Sequence, residues 1–165
     1  VMLCGKQMSF FDRSSSQFVS ELVEYYSNYE IIDDFNLVKE EIVKIAVYHE
    51  ISSEDYVYPQ IQHYTDDVLV KISGQHWLDI NHVKAHKGNA LKNIMASQGI
   101  QPNEILVFGD YFNDLEMLQL AEHSFAMENA HAEVKKVANY HTSSNNDQGV
   151  ERILEKLLAT KAAVL

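Results

Sequence analysis

Val107-Phe108-Gly109-Asp110-Tyr111-Phe112-Asn113-Asp114 is the stretch that decides how this chain folds. Residues 104–108 read as an apolar strand of the kind buried on both faces of a parallel sheet. The strand ends in Gly109-Asp110, and Asn113-Asp114 then opens a helix. In open α/β sheets ligands collect beyond the carboxyl ends of the strands, which is where Asp110 falls. Asp110 and Asp114 place two hard oxygen donors on one loop, a donor set suited to magnesium. The helix N-terminus near Asn113 offers backbone N–H groups to an anion. Local chemistry equally allows a plainer reading, in which Asn113 or Asp114 only caps the helix and Asp110 sits in a turn.

Working outward, residues 88–97 have a helical pattern, with Leu91, Ile94 and Met95 on one face and Gly99 as the stop signal. Lys87 stands at the start of that helix, where the helix dipole disfavours a cation. A phosphate at this point would be held by both the ammonium and the helix N–H groups; the alternative is a solvated surface lysine. Downstream come a helix at 115–121, a strand at 124–127, a helix at 132–138, a strand at 140–142 and a helix at 150–158. That alternation predicts an α/β parallel sheet.

The front of the chain is built differently. Val1-Met2-Leu3-Cys4 reads as part of a strand. Ser14 with Gln17 resembles a capping box, and Phe18, Leu22, Val23, Tyr25, Tyr26 and Tyr29 recur at helical spacing. Residues 42–49 are rich in β-branched and aromatic side chains, and Ser52-Ser53-Glu54-Asp55 opens a second, weaker helix in which Pro59 sits poorly. Strands at 68–73 and 76–80 follow, joined by Ser73-Gly74-Gln75. These elements predict a mostly antiparallel sheet with helices on one face. The change of pattern near 81–86 divides the chain into domains at 1–82 and 83–165. His82 and His86 have a spacing used in zinc pairs, yet no third soft ligand lies near, so the segment reads as a connection. Asp33-Asp34 and Asp66-Asp67 read as turn or solvated charges. Trp77 and Tyr25, Tyr26, Tyr29, Tyr56, Tyr58 and Tyr64 read as core or surface aromatics, with pocket lining as the alternative.

Acidic residues outnumber basic ones by 24 to 13 in the 165 residues, a formal charge of −11. No Lys/Arg stripe is present, which argues against a nucleic-acid partner. No apolar run of about 18 residues is present to span a membrane. Cys4 is the single cysteine, so an intrachain disulfide is impossible and a reducing, cytoplasmic setting is expected.

Taken in order, Lys87-Gly88-Asn89-Ala90-Leu91, Gly109-Asp110-Tyr111-Phe112-Asn113-Asp114 with Met117-Leu118, Ala126-Met127-Glu128-Asn129-Ala130 with Val134-Lys135, and Asn146-Asp147-Gln148-Gly149-Val150 resemble the motifs of Cof-type phosphatases. These are haloacid dehalogenase-like hydrolases with an inserted class IIB α/β cap. Leu3-Cys4-Gly5-Lys6 and Trp77-Leu78-Asp79-Ile80 are similar to that cap. The resemblance implies a Rossmann-like parallel core, here incomplete, and a magnesium-dependent phosphatase of small phosphorylated metabolites, with sugar phosphates the leading class. It implies that Lys87 holds the transferring phosphoryl group and Asn113 contacts phosphate. It also implies that Asp110 binds Mg2+ and Asp114 supports the metal directly or through water. Phosphoryl transfer to an aspartate and hydrolysis by water would follow. Tyr111 stands where the family often has glycine. The family's Asp-x-Asp-Gly-Thr motif is absent from these residues, so the chain is expected to be a fragment, inactive or nearly so alone. Its strand at 104–108 would then present an edge, inviting self-association or pairing with a missing N-terminal segment. Two other outcomes are a non-catalytic module binding a phosphorylated ligand or partner, and phosphoryl transfer between sugar positions.

Overall fold

A computed structural model describes residues 1–18, 22–63 and 68–162, and divides the chain into two units, 1–85 and 86–165. The first unit holds a six-stranded sheet of order β3-β2-β1-β4-β6-β5. Its strands are β1 (Met2–Gly5), β2 (Ser9–Asp12), β3 (Tyr29–Ile32), β4 (Ile42–Tyr48), β5 (Val68–Gly74) and β6 (Trp77–His82). All neighbours run antiparallel except β2 and β3, which are parallel.

β1 and β2 form a tight hairpin closed by a hydrogen bond from the Gly5 amide to the Met8 carbonyl. Alternation along these strands sends Met2, Cys4, Phe11 and Ala46 to one face. There they meet Leu22, with Phe18, Tyr26, Tyr48 and Trp77 packed around them. The Cys4 thiol donates to the Tyr26 hydroxyl. Burial, with Cys4 and the Asp79 carboxylate nearby, pushes the Tyr26 phenol above its ordinary range.

A helix carrying both Phe18 and Tyr29 does not form. Arg13–Phe18 is a 3₁₀ helix, a turn follows Leu22, and Tyr29 begins β3. Residues 19–21 lie outside the described residues, as do Tyr64 and Asp66-Asp67. The expected second helix is two short ones, and Pro59 falls in the first turn of the later one. α1 (Ser53–Tyr56), capped by the Ser52 hydroxyl, ends at Val57, and α2 (Tyr58–Ile61) carries Pro59 in its first turn, where no hydrogen bond is lost.

The second unit contains a three-stranded parallel sheet of order β7-β8-β9: β7 (Leu106–Gly109), β8 (His123–Ala126) and β9 (Tyr140–His141). Around it lie α3 (Lys87–Gln98), α4 (Leu115–Leu118), α5 (Ala132–Val137) and α6 (Gly149–Ala162). The core cluster gathers Val107, Leu118, Ala126, Met127 and Val134, all nearly solvent-free. Each large apolar side chain so buried contributes about 1.5–3 kcal/mol. Phe108, Phe125 and Tyr140 stack in series, with centroids 5.3 Å apart at each step. The expected strand at 104–108 is shifted to Leu106–Gly109. Gln101 and Glu104 cap one another around Pro102–Glu104, a 3₁₀ turn that takes up the first residue. Burial of β7 on both faces is incomplete, because Leu106 lines a cavity of about 630 Å³ beside Ile153 and Leu157. Among the described residues β7 pairs with β8 alone and forms the sheet edge. No helix among them is long and apolar enough to cross a membrane.

Candidate functional site

Gly109 ends β7 and Asp110 follows it, Phe112–Asp114 forms a 3₁₀ turn, and α4 continues from Leu115. Two backbone bonds tie this loop to the segment after β8: the Met127 amide donates to Gly109 and the His131 amide to Asp110. Lys87 is the first residue of α3, whose N-cap is His86, accepting the Asn89 amide on its Nδ1 at 3.3 Å.

The structure brings Lys87 and Asp114 together across 27 residues of sequence. Lys87 Nζ lies 2.5 Å from Asp114 Oδ1. The Asp114 side chain is 5% exposed and that of Lys87 50%, so the carboxylate is buried and the ammonium reaches solvent. Asp114 Oδ2 accepts the backbone N–H groups of Asp110 at 3.1 Å and Tyr111 at 3.4 Å. One buried carboxylate thus closes the loop and anchors the lysine. An ammonium has three donors, so the rest of Lys87's capacity faces outward. This pairing explains a cation at a helix N-terminus, where the dipole disfavours it.

The approach of α3 to this loop depends on two glycines. A Cβ on Gly88 would lie 2.5 Å from Glu116 Cβ, and one on Gly109 would lie 2.6 Å from Asp114 Cβ. Both are shorter than real Cβ contacts, so side chains here would drive apart the surfaces that set the Lys87–Asp114 pair.

Asp110 is exposed at the carboxyl end of β7, and its carboxylate makes no hydrogen bond or ion pair with another described residue. Asn113 is half-buried on the 3₁₀ turn with its side-chain amide likewise uncommitted. The four candidate residues therefore divide into a structural pair, Lys87 with Asp114, and two outward groups, Asp110 and Asn113. As a test of fit for magnesium, Asp110 supplies a free hard donor, while both Asp114 oxygens are engaged. No cluster of three or more His, Cys, Asp or Glu is placed to hold a metal among the described residues. Magnesium retains several waters and takes one or two protein carboxylates plus substrate phosphate, so this sparse set fits it better than it fits zinc.

His82 and His86 act as local caps. His82 Nδ1 accepts the Lys84 amide, as His86 accepts that of Asn89. His131 was not singled out by its sequence context. Its Nδ1 accepts from the Glu133 amide to start α5, and its ring lies 4.4 Å from that of Phe112, bracing the loop. The signal available was a polar residue directly before the helical pattern at 132–138.

The second unit is thus a parallel α/β sheet carrying an acidic loop at a strand end, with a lysine from a neighbouring helix held in it. The chain belongs to the haloacid dehalogenase-like hydrolase family, whose profile matches residues 2–154. It is 32% identical over 168 residues to 5-amino-6-(5-phospho-D-ribitylamino)uracil phosphatase YbjI of Escherichia coli, covering 98% of this chain and 60% of that protein. It is 37% identical over 91 residues to 5-amino-6-(5-phospho-D-ribitylamino)uracil phosphatase YwtE of Bacillus subtilis, covering 55% of this chain and 32% of the relative. Among solved structures, SMU.1108c from Streptococcus mutans superposes with a TM-score of 0.85 at 28% identity, covering 96% of this chain and 60% of that one. The chain thus spans about three fifths of the length of the first relative.

Proposed function

We propose that this chain supplies the cap and the lysine-bearing part of the core of a magnesium-dependent phosphatase acting on small phosphorylated metabolites. The observation that carries the reading is the Lys87–Asp114 pair at the carboxyl end of β7, beside an uncommitted Asp110. Lys87, anchored by Asp114, turns its remaining N–H donors to the phosphoryl oxygens. Asn113 offers its amide to the same group, and Asp110, with Asp114 behind it, would hold Mg2+. The metal, when bound, neutralises charge on the transferring phosphoryl group. In the family's reaction the ester P–O bond breaks as an aspartate oxygen bonds phosphorus, and water then releases phosphate from the aspartyl phosphate. The aspartate nucleophile is not among these 165 residues, because no Asp-x-Asp occurs in them. A further strand, from an additional segment or a second copy, would pair with the open edge of β7.

The relatives' names favour a primary phosphate on a polyol chain, and sugar phosphates share that group. The test is phosphate release by the complete gene product in Mg2+, comparing 5-amino-6-(5-phospho-D-ribitylamino)uracil, hexose 6-phosphates and a phosphoserine peptide. Release from the first two and not from the peptide is expected. Turnover of the peptide alone, or of none of the three, would contradict the reading.

A further inference from the structure

The unit formed by residues 86–165 contains a hollow lined by several cationic side chains. A cavity of about 470 Å³ opens where the ends of β8 and β9 meet α5 and α6. Lys135 of α5 and Arg152 and Lys156 of α6 line it, with His141 of β9. Glu128 is the one acid in the lining. Three of the chain's 13 lysines and arginines therefore surround one hollow in a protein whose formal charge is −11. None of the three forms an ion pair with another described residue.

Three cations gathered around a single acid repel one another, and Arg152 and Lys156, four residues apart on one helix, are at a spacing where that repulsion is felt. A bound anion removes it. The hollow is also held in shape. His141 Nε2 donates to the Lys135 carbonyl at 3.0 Å, joining β9 to α5. The Thr142 hydroxyl donates to the Gly149 carbonyl at 2.7 Å, joining the end of β9 to α6. Its volume falls in the range of about 300–1,000 Å³ typical of small-molecule sites. It shares no lining residue with the Lys87–Asp114 loop.

We propose that this cavity binds a small, multiply charged phosphate compound at a site separate from the one that handles the substrate's phosphoryl group. Arginine's planar fork suits a phosphate in two-pronged contact, and the two lysines supply point charges around it. The site stands whether or not the catalytic reading does, since it uses none of the same residues.

The test is calorimetric titration of the full chain with inorganic pyrophosphate at low salt. It compares the wild type, the Arg152→Glu/Lys156→Glu double variant and Lys87→Ala. Saturable binding weakened about tenfold or more by the double variant and less than about twofold by Lys87→Ala is the expected result. Lys135→Ala, on a different helix, should weaken binding as well, which guards against a folding defect in the α6 variant. Three results would each overturn the proposal: no saturable binding, binding unchanged in the double variant and Lys135→Ala, or binding lost in Lys87→Ala alone.

Discussion

Replacing Asp114 by alanine removes the one carboxylate that ties the loop after β7 to α3. Its hydrogen bond from the Asp110 amide, at 3.1 Å, is charge-assisted and buried, and is worth about 1.5 kcal/mol. The bond from Tyr111, at 3.4 Å, is long and contributes about 0.5 kcal/mol. The Lys87 pair is short, but its ammonium is half in water, so solvent screening holds it to about 1 kcal/mol. Together these predict a loss of about 3 kcal/mol, at the lower bound for breaking a buried pair. In a unit of this size each kcal/mol lowers the melting temperature by about 4–8 °C, so Asp114→Ala should melt about 12–24 °C below the wild type. Circular dichroism melts of the chain measure this directly. Lys87→Ala alone should cost about 1 kcal/mol, and adding it to Asp114→Ala should cost almost nothing more. A fall of less than about 4 °C in Asp114→Ala, or full additivity with Lys87→Ala, would refute the claim that this carboxylate organises the site.

Two further outcomes follow from the packing and titration of the chain. Gly88→Ala gains up to about 1 kcal/mol of helix propensity but must push α3 about 1 Å away from Glu116, an overpacking cost of about 1–3 kcal/mol. A modest net destabilisation with a visibly longer Lys87–Asp114 separation in a crystal structure is expected, and an unchanged separation would contradict it. Tyr26, whose phenol is raised chiefly by burial, stays neutral in the folded state at a pH where the unfolded chain has begun to ionise, near pH 10. Its contribution to stability is complete below that pH and is lost as pH rises through the folded value. Urea melts should therefore show the gap between wild type and Tyr26→Phe narrowing above about pH 10. A gap constant across that range would count against the burial of this hydroxyl.

The loop after β7 was legible because its signals are local: a strand ending at Gly109 and a turn carrying Asn113-Asp114 sit within six residues. Which acid is buried was not, because Asp114 is defined by a lysine 27 residues upstream and by amides that converge only after the loop closes. The alternation of strands and helices in residues 86–165 follows from apolar runs punctuated by Gly, Asn and Asp. β2 and β3 escaped reading for a physical reason. Each has four residues, and Tyr29 happens to continue the helical spacing of Tyr25 and Tyr26 while pairing with Ser9, far away in sequence. The start of β7 was misplaced because the mutual capping of Gln101 and Glu104 outweighs the strand preference of the residues that follow.

In the proposed reaction Lys87 and Asp110 are the two charged groups of this chain that face the transferring phosphoryl group, with Asn113 beside them. The most direct test of these roles is steady-state phosphate release from 5-amino-6-(5-phospho-D-ribitylamino)uracil by the complete gene product and its Lys87→Ala and Asp110→Asn variants, across a Mg2+ titration. Both variants, still folded, are expected to lose turnover by about 10²-fold or more, and Asp110→Asn alone to need markedly more Mg2+. Near-normal turnover in either variant, or an unchanged Mg2+ requirement in Asp110→Asn, would contradict them.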